Sequence, residues 1–159
     1  MRKGLKRAPA QENIRQPFVG ALLRFAYQIT RRHQLRVLRD HGFGDLNQAL
    51  LSVMVYPHPD GVRSGDLAAR INMTKQATNY LLGQLESLGY IERRAAKGSA
   101  RRLIFLTRRG WESIEVHRAA VLEVETQWAK AIGSKRFNDF KETLTELVAL
   151  DDEFARRTG

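Results

Sequence analysis

The sequence predicts a mainly α-helical protein that carries one small β-hairpin. Three observations lead there. Apolar residues recur at spacings of three and four through most of the 159 residues, which is one face of a helix. Between Tyr90 and Thr107 the period drops to two around a glycine-containing turn, the pattern of two paired strands. Asp66–Tyr90 reads DLAARINMTKQATNYLLGQLESLGY, two short helical patterns broken at Asn72-Met73-Thr74.

The elements follow in order. Residues 1–13 are basic, polar and proline-containing, and are expected to be a flexible arm. Pro17 can start a helix running to Asp40, with Phe18, Leu22, Phe25, Ile29, Leu35 and Leu38 as its apolar stripe. Arg32, Arg36 and Arg39 share another face, read as solvated. His41-Gly42-Phe43-Gly44 breaks this helix. Asp45 or Asn47 can cap the next, whose inward residues are Leu46, Leu50, Val53 and Met54. Tyr56–Gly61, with two prolines, is a turn, and His58 within it is a loop residue. Val62-Arg63 can form a very short strand, and Ser64 is a candidate cap.

In the central stretch, Leu67 and Ile71 lie four apart and face inward. Asn72 tolerates a left-handed backbone, and Thr74 can cap a new helix. That helix runs from Lys75 to Leu88, backed by Leu81, Leu82, Leu85 and Leu88 with Thr78 on the same face. Lys75, Gln76 and Asn79 open its other face, flanked by Tyr80, and Gly89 ends it. A helix-turn-helix offers the start of its second helix to the DNA major groove, so polar side chains belong there.

Tyr90–Arg94 reads as a strand, Ala95–Ala100 as a turn and Arg101–Thr107 as the returning strand. Arg93, Arg94, Lys97, Arg101 and Arg102 gather near the tip, where they can lie along phosphates or enter a narrow minor groove. Thr107 caps a long helix to about Ala131, with Ile114, Val121, Val124 and Trp128 inward. Gly133 interrupts, and Ser134 can cap a last helix striped by Phe137, Phe140, Leu144, Leu147 and Phe154. The terminal helices carry more apolar surface than so small a domain covers, which favours self-association. The predicted class is therefore a winged helix-turn-helix with N- and C-terminal dimerisation helices: residues 1–13 the arm, 14–44 the first dimerisation helix, 45–109 the reading head and 110–159 the remaining dimerisation helices.

Charge agrees with a polyanionic partner. The net charge is +10. Residues 1–41 hold ten Lys or Arg against two acids, residues 91–109 seven against one, and residues 110–159 seven against ten. There is no cysteine, which excludes disulfides, thiolate metal sites and thiol redox sensing. No apolar run reaches membrane-spanning length and the N-terminus lacks a signal-peptide core, so a cytoplasmic location is expected, without a membrane partner. His33, His41, His58 and His117 show no ligand spacing, so no metal and no other cofactor is expected. No Gly-x-Ser-x-Gly, P-loop, His-Glu-x-x-His or dinucleotide fingerprint occurs, and no catalysis is expected.

The order of elements resembles the multiple-antibiotic-resistance regulator (MarR) family of dimeric winged helix-turn-helix transcription regulators. The resemblance covers nearly the whole chain after residue 13. Its most specific parts are GDLAARINMTKQATNYLLGQLESLGYIERR and LTRRGW, which stand where that family has its recognition helix and the Leu-Thr-x-x-Gly lead-in to its fifth helix. It implies a homodimer reading a palindromic operator in double-stranded DNA, as a repressor relieved by a small aromatic effector bound between head and dimer helices. It implies Lys75, Gln76 and Asn79 at base edges, Thr74 and Tyr80 nearer phosphates, and Lys97, Arg101 and Arg102 as the wing. Gln and Asn suit adenine, and Lys suits guanine. One departure stands out. Family wings carry Asp-x-Arg at the tip, and the counterpart here is Gly98-Ser99-Ala100, without the aspartate. The competing reading is a winged-helix adaptor for protein or structured RNA.

Overall fold

The computed structural model describes residues 17–54, 59–95 and 102–158, with side chains as far as residue 150. The order is α1 (Val19–Asp40), α2 (Gln48–Met54), α3 (Ser64–Arg70), α4 (Lys75–Ser87), β1 (Ile91–Ala95), β2 (Arg102–Leu106), α5 (Arg108–Ile132) and α6 (Ser134–Thr158). Helices α2 and α3 pack on α4, and the hairpin follows it; α1 lies along α5, and α6 packs on α5. The predicted class is what the chain adopts: helices with one antiparallel hairpin.

Local signals explain most boundaries. The Thr74 hydroxyl accepts from Ala77 N at 3.1 Å and caps α4, while Asn72 takes φ 51° in the turn before it. After Ser87 the chain reverses through Gly89 at φ 77°, and Tyr90 N returns to Leu85 O at 2.9 Å, a closure only glycine makes without strain. The strands pair Ile91 with Leu106 and Ala95 with Arg102. Val62, expected with Arg63 in a very short strand, makes a single bridge, exchanging both backbone bonds with Ile104.

Several expectations are corrected. α1 begins at Val19 rather than Pro17. Ser64 is the first residue of α3, and no side chain caps that helix. Ser134 likewise lies inside α6, whose first turn closes from Phe137 N to Gly133 O. Asn47, not Asp45, caps α2, its Oδ1 accepting from Leu50 N at 3.0 Å. Leu88 is 36% exposed, because it stands at the C-cap, where the chain leaves the helical path. The turn residue His58 lies outside the described residues.

One core unites head and scaffold. Leu46, Leu50, Val53 and Met54 meet Leu67, Leu81, Leu82 and Leu85, and Leu38 joins them from α1. At its edge stands Tyr90, fully buried. The Tyr90 hydroxyl donates to Asp45 Oδ1 at 2.5 Å, and Arg109 donates to Asp45 Oδ2 and to the Tyr90 oxygen, each at 3.0 Å. The Arg109 guanidinium also lies over the Tyr90 ring at 4.7 Å. Burial, with the Asp45 carboxylate beside it, pushes the Tyr90 pKa from 10.0 up to about 12, against the pull of Arg109. Below the ring, Thr107 N donates to Tyr90 O at 3.0 Å, and its hydroxyl donates to Gly89 O at 2.6 Å while accepting from Gly110 N at 3.1 Å. A Cβ on Gly110 would stand 2.2 Å from Tyr90 O. The Leu-Thr-x-x-Gly pattern is thus a docking joint: threonine caps α5 and grips the preceding turn, and glycine lets the helix approach it.

Two outcomes follow for stability. Gly110→Ala should lose about 1–3 kcal/mol, as expected of overpacking against a fixed backbone, read by denaturant unfolding. For Tyr90, the folded pKa lies above the unfolded one, so its contribution is whole below pH 10 and is lost as pH rises through about 12. Screening at the half-exposed Asp45 and Arg109 reduces the corresponding fall to about 1–2 kcal/mol. Tyr90→Phe should be less stable at pH 7 by about 1 kcal/mol yet show a flatter melting profile between pH 10 and 12.

Candidate nucleic-acid interface

The candidate interface begins with the division of α4 into two faces. Leu81, Leu82, Leu85 and Thr78 are buried, and the Thr78 hydroxyl donates to Thr74 O at 3.0 Å, so its polar group is satisfied within the helix. Thr74, Lys75, Gln76, Asn79 and Tyr80 are all exposed, Tyr80 by 67%. The five predicted residues of the helix therefore form one solvent-facing edge over its first turn and a half. No acid occupies the first turn, so the positive end of the helix dipole and the Lys75 ammonium add rather than cancel. The acid of α4, Glu86, stands at the far end, 3.6 Å from Arg93. Asn79 and Tyr80 also border an open groove of about 640 Å³ whose other wall comes from Asp45, Asn47 and Leu50.

The hairpin supplies a second basic element. Arg102 is exposed at the first residue of β2, opposite Ala95. Lys97 and Arg101, also predicted as wing residues, lie outside the described residues, as do Gly98-Ser99-Ala100. One basic residue left out of the predicted wing set is held in place. The Arg94 guanidinium sits 4.1 Å above the Phe105 ring, with its Nε 3.1 Å from Glu92. Phe105 in turn packs on Gly61, where an added Cβ would come within 2.6 Å of the ring. Arg94 and Phe105 are diagonal neighbours on one face of the hairpin, a contact that depends on register rather than on spacing along the chain. A stacked guanidinium loses less freedom on meeting a phosphate than a free one does.

In the scaffold, His117 is half-buried with its Nε2 3.2 Å from Gln34 Oε1, and burial lowers its pKa. Among the described residues, no three His, Asp or Glu side chains come together as a metal site would require, and no helix is long and apolar enough to cross a membrane.

Comparison with known proteins adds a partial family match and a likeness of fold. The MarR family model matches residues 47–102, from the start of α2 to the first residue of β2. No curated protein sequence matches. Among solved structures, a MarR-family transcription regulator superposes with a TM-score of 0.66 at 20% identity, over 87% of this chain and 88% of that one. Mycobacterium tuberculosis MarR-family protein Rv2887, in complex with salicylic acid, gives 0.60 at 25% identity, over 84% and 98%. A mutant of Staphylococcus aureus MepR bound to an oligodeoxyribonucleotide gives 0.57 at 21% identity, over 84% and 98%. Residues 47–102 thus match the MarR family model, and the chain's fold is that of the MarR-family structures it superposes on.

Proposed function

We propose that the protein is a cytoplasmic, homodimeric transcription regulator that reads a palindromic operator and represses from it, and that a small aromatic effector releases it. One observation carries the reading: Lys75, Gln76, Asn79 and Tyr80 form an exposed, acid-free polar edge at the opening of a leucine-backed helix. Such an edge fits the major groove, with Gln76 and Asn79 suited to adenine and Lys75 to guanine. Thr74 and Tyr80 sit where phosphates would pass, and Arg102, with Lys97 and Arg101, would track the flanking backbone. The oligonucleotide complex of MepR and the salicylic acid complex of Rv2887 support the two ligand classes.

Dimerisation is supported by apolar surface left open in a single chain. Phe18 at the head of α1 and Leu22, Phe25 and Ile29 within it are about half exposed or more, and so are Leu147, Val148 and Leu150 of α6. Contiguous apolar surface of this kind marks an interface. Residues 14–44 and 110–159 would form it, and residues 45–109 would be carried on it as the reading head, at a spacing of one DNA turn between half-sites.

The test is duplex binding across a salt series, with sequences selected from a random pool and from the gene's own upstream region. Specific affinity should exceed random by about a thousandfold or more; no preference, or a preference for structured RNA, defeats the reading. Asn79→Ala should relax base choice by about 1–3 kcal/mol, whereas Arg102→Ala should weaken every duplex alike and lower the salt slope by about one. Leu147→Asp combined with Leu150→Asp should give a monomer by light scattering that loses operator binding while its thermal unfolding remains cooperative.

A further inference from the structure

With no cysteine in the chain, methionine is the side chain that a mild oxidant attacks first. There are three, Met1, Met54 and Met73. Met1 lies outside the described residues, and Met54 is fully buried in α2. Met73 is different: it is partly buried, so that it reaches solvent and also packs against the core that holds Leu67. Its place is the turn of the helix-turn-helix. There α3 closes through two backbone bonds around a left-handed residue. Asn72, at φ 51°, donates its N–H to Ala69 O at 3.3 Å, and Met73 donates its own to Ala68 O at 3.0 Å. In a closure of this kind the residue after the left-handed one lays an apolar side chain back on the helix it ends. That residue is Met73, and Leu67 and Ala68, the helix residues at the matching position, are buried. The residue after it, Thr74, caps α4. One thioether thus stands between the end of α3 and the start of the helix that bears Lys75, Gln76 and Asn79.

We infer that Met73 is a reversible oxidation site, at which conversion of the thioether to the sulfoxide loosens the turn and the first turn of α4. The oxidant is a hypohalous acid. The sulfur gives an electron pair to the chlorine of hypochlorous acid; chloride and a proton leave, and one oxygen remains on sulfur. A dithiol, acting through a methionine sulfoxide reductase, removes that oxygen as water and becomes a disulfide. The sulfoxide is polar where the thioether was apolar. Against the core it would be buried without a hydrogen-bond partner, which is unfavourable, so the side chain turns out to water and its contact with the core is lost. The bond from Ala77 N to the Thr74 hydroxyl, set by the next residue along, is the first to feel that loss. Met54 is spared because it is sealed from solvent. That oxidation releases DNA rests on the regulator reading above; that it loosens the turn does not.

The test treats the full-length protein with hypochlorous acid up to an equimolar amount and maps the product by peptide mass spectrometry. Oxygen should be added at Met73 and not at Met54. Hydrogen exchange at the amides of Met73 and Ala77 should quicken by about tenfold, while the interior of α5 is unchanged. Affinity for the selected duplex should fall by about tenfold or more, and methionine sulfoxide reductase with dithiothreitol should restore both. Met73→Leu keeps an apolar side chain that cannot be oxidised, and should match the untreated protein in exchange and affinity before and after treatment. It retains Met1, so an effect of that residue would survive in it. Met54 oxidised as fast as Met73, unchanged exchange in the oxidised protein, or an equal loss of affinity in treated Met73→Leu overturns the site. Faster exchange with unchanged duplex affinity overturns the release of DNA. A protein with no duplex preference overturns the regulator reading, while exchange at the turn still reports on Met73.

Discussion

The junction at Tyr90 sets the geometry of everything that could meet DNA. Its amide nitrogen closes the end of α4, its carbonyl receives Thr107 at the head of α5, and its ring, held by Asp45 and Arg109, seals the core between them. The first residue of β1 follows at once. The end of α4, the base of the hairpin and the start of α5 therefore meet at one buried point. Gly110 allows that approach, since any larger residue would strike the Tyr90 carbonyl. The helix-turn-helix is attached to α5 in this way by hydrogen bonds to the turn that ends α4, and not by a loop alone.

Around that joint, burial and exposure divide the labour. The leucines of α4 supply the cohesion, and their removal from water is the main favourable term in folding the head. The polar edge contributes nothing to this core, because Lys75, Gln76, Asn79 and Tyr80 are all exposed. Unsupported polar side chains on a rigid helix start, with a stacked Arg94 and an exposed Arg102 on the hairpin, make sense as a surface for an external partner. The first turn of α4 holds no acid of its own, so the positive end of the helix dipole is not offset there by a side chain of that turn.

The scaffold shows the complementary pattern. Exposed aromatic and aliphatic residues lie on α1, α5 and α6, and polar cross-links, His33–Glu123 and Gln34–His117, join α1 to α5. Hydrogen-bonded seams are less tolerant of a lost partner than apolar ones.

What could be read from the residues alone was local. Spacing of three and four placed every helix, the change to period two placed the hairpin, and Thr74, Thr107, Asn72 and Gly89 announced their turns because each acts on a backbone within four residues of itself. The exposed edge of α4 was legible for the same reason. Contacts between distant segments were not. Asp45 has the chemistry of a helix cap, and only the fold shows that it serves a tyrosine 45 positions away. Gly110 looks like a weakness inside a helix until Tyr90 is seen against it, Arg94 is one of five basic residues near the hairpin tip until Phe105 lies beneath it, and Arg32 and Arg36 read as a charged face until Trp128 is found across a cleft from them. Periodicity says which side of an element faces inward; which side chains meet there is decided by the packing of elements that the chain brings together from far apart.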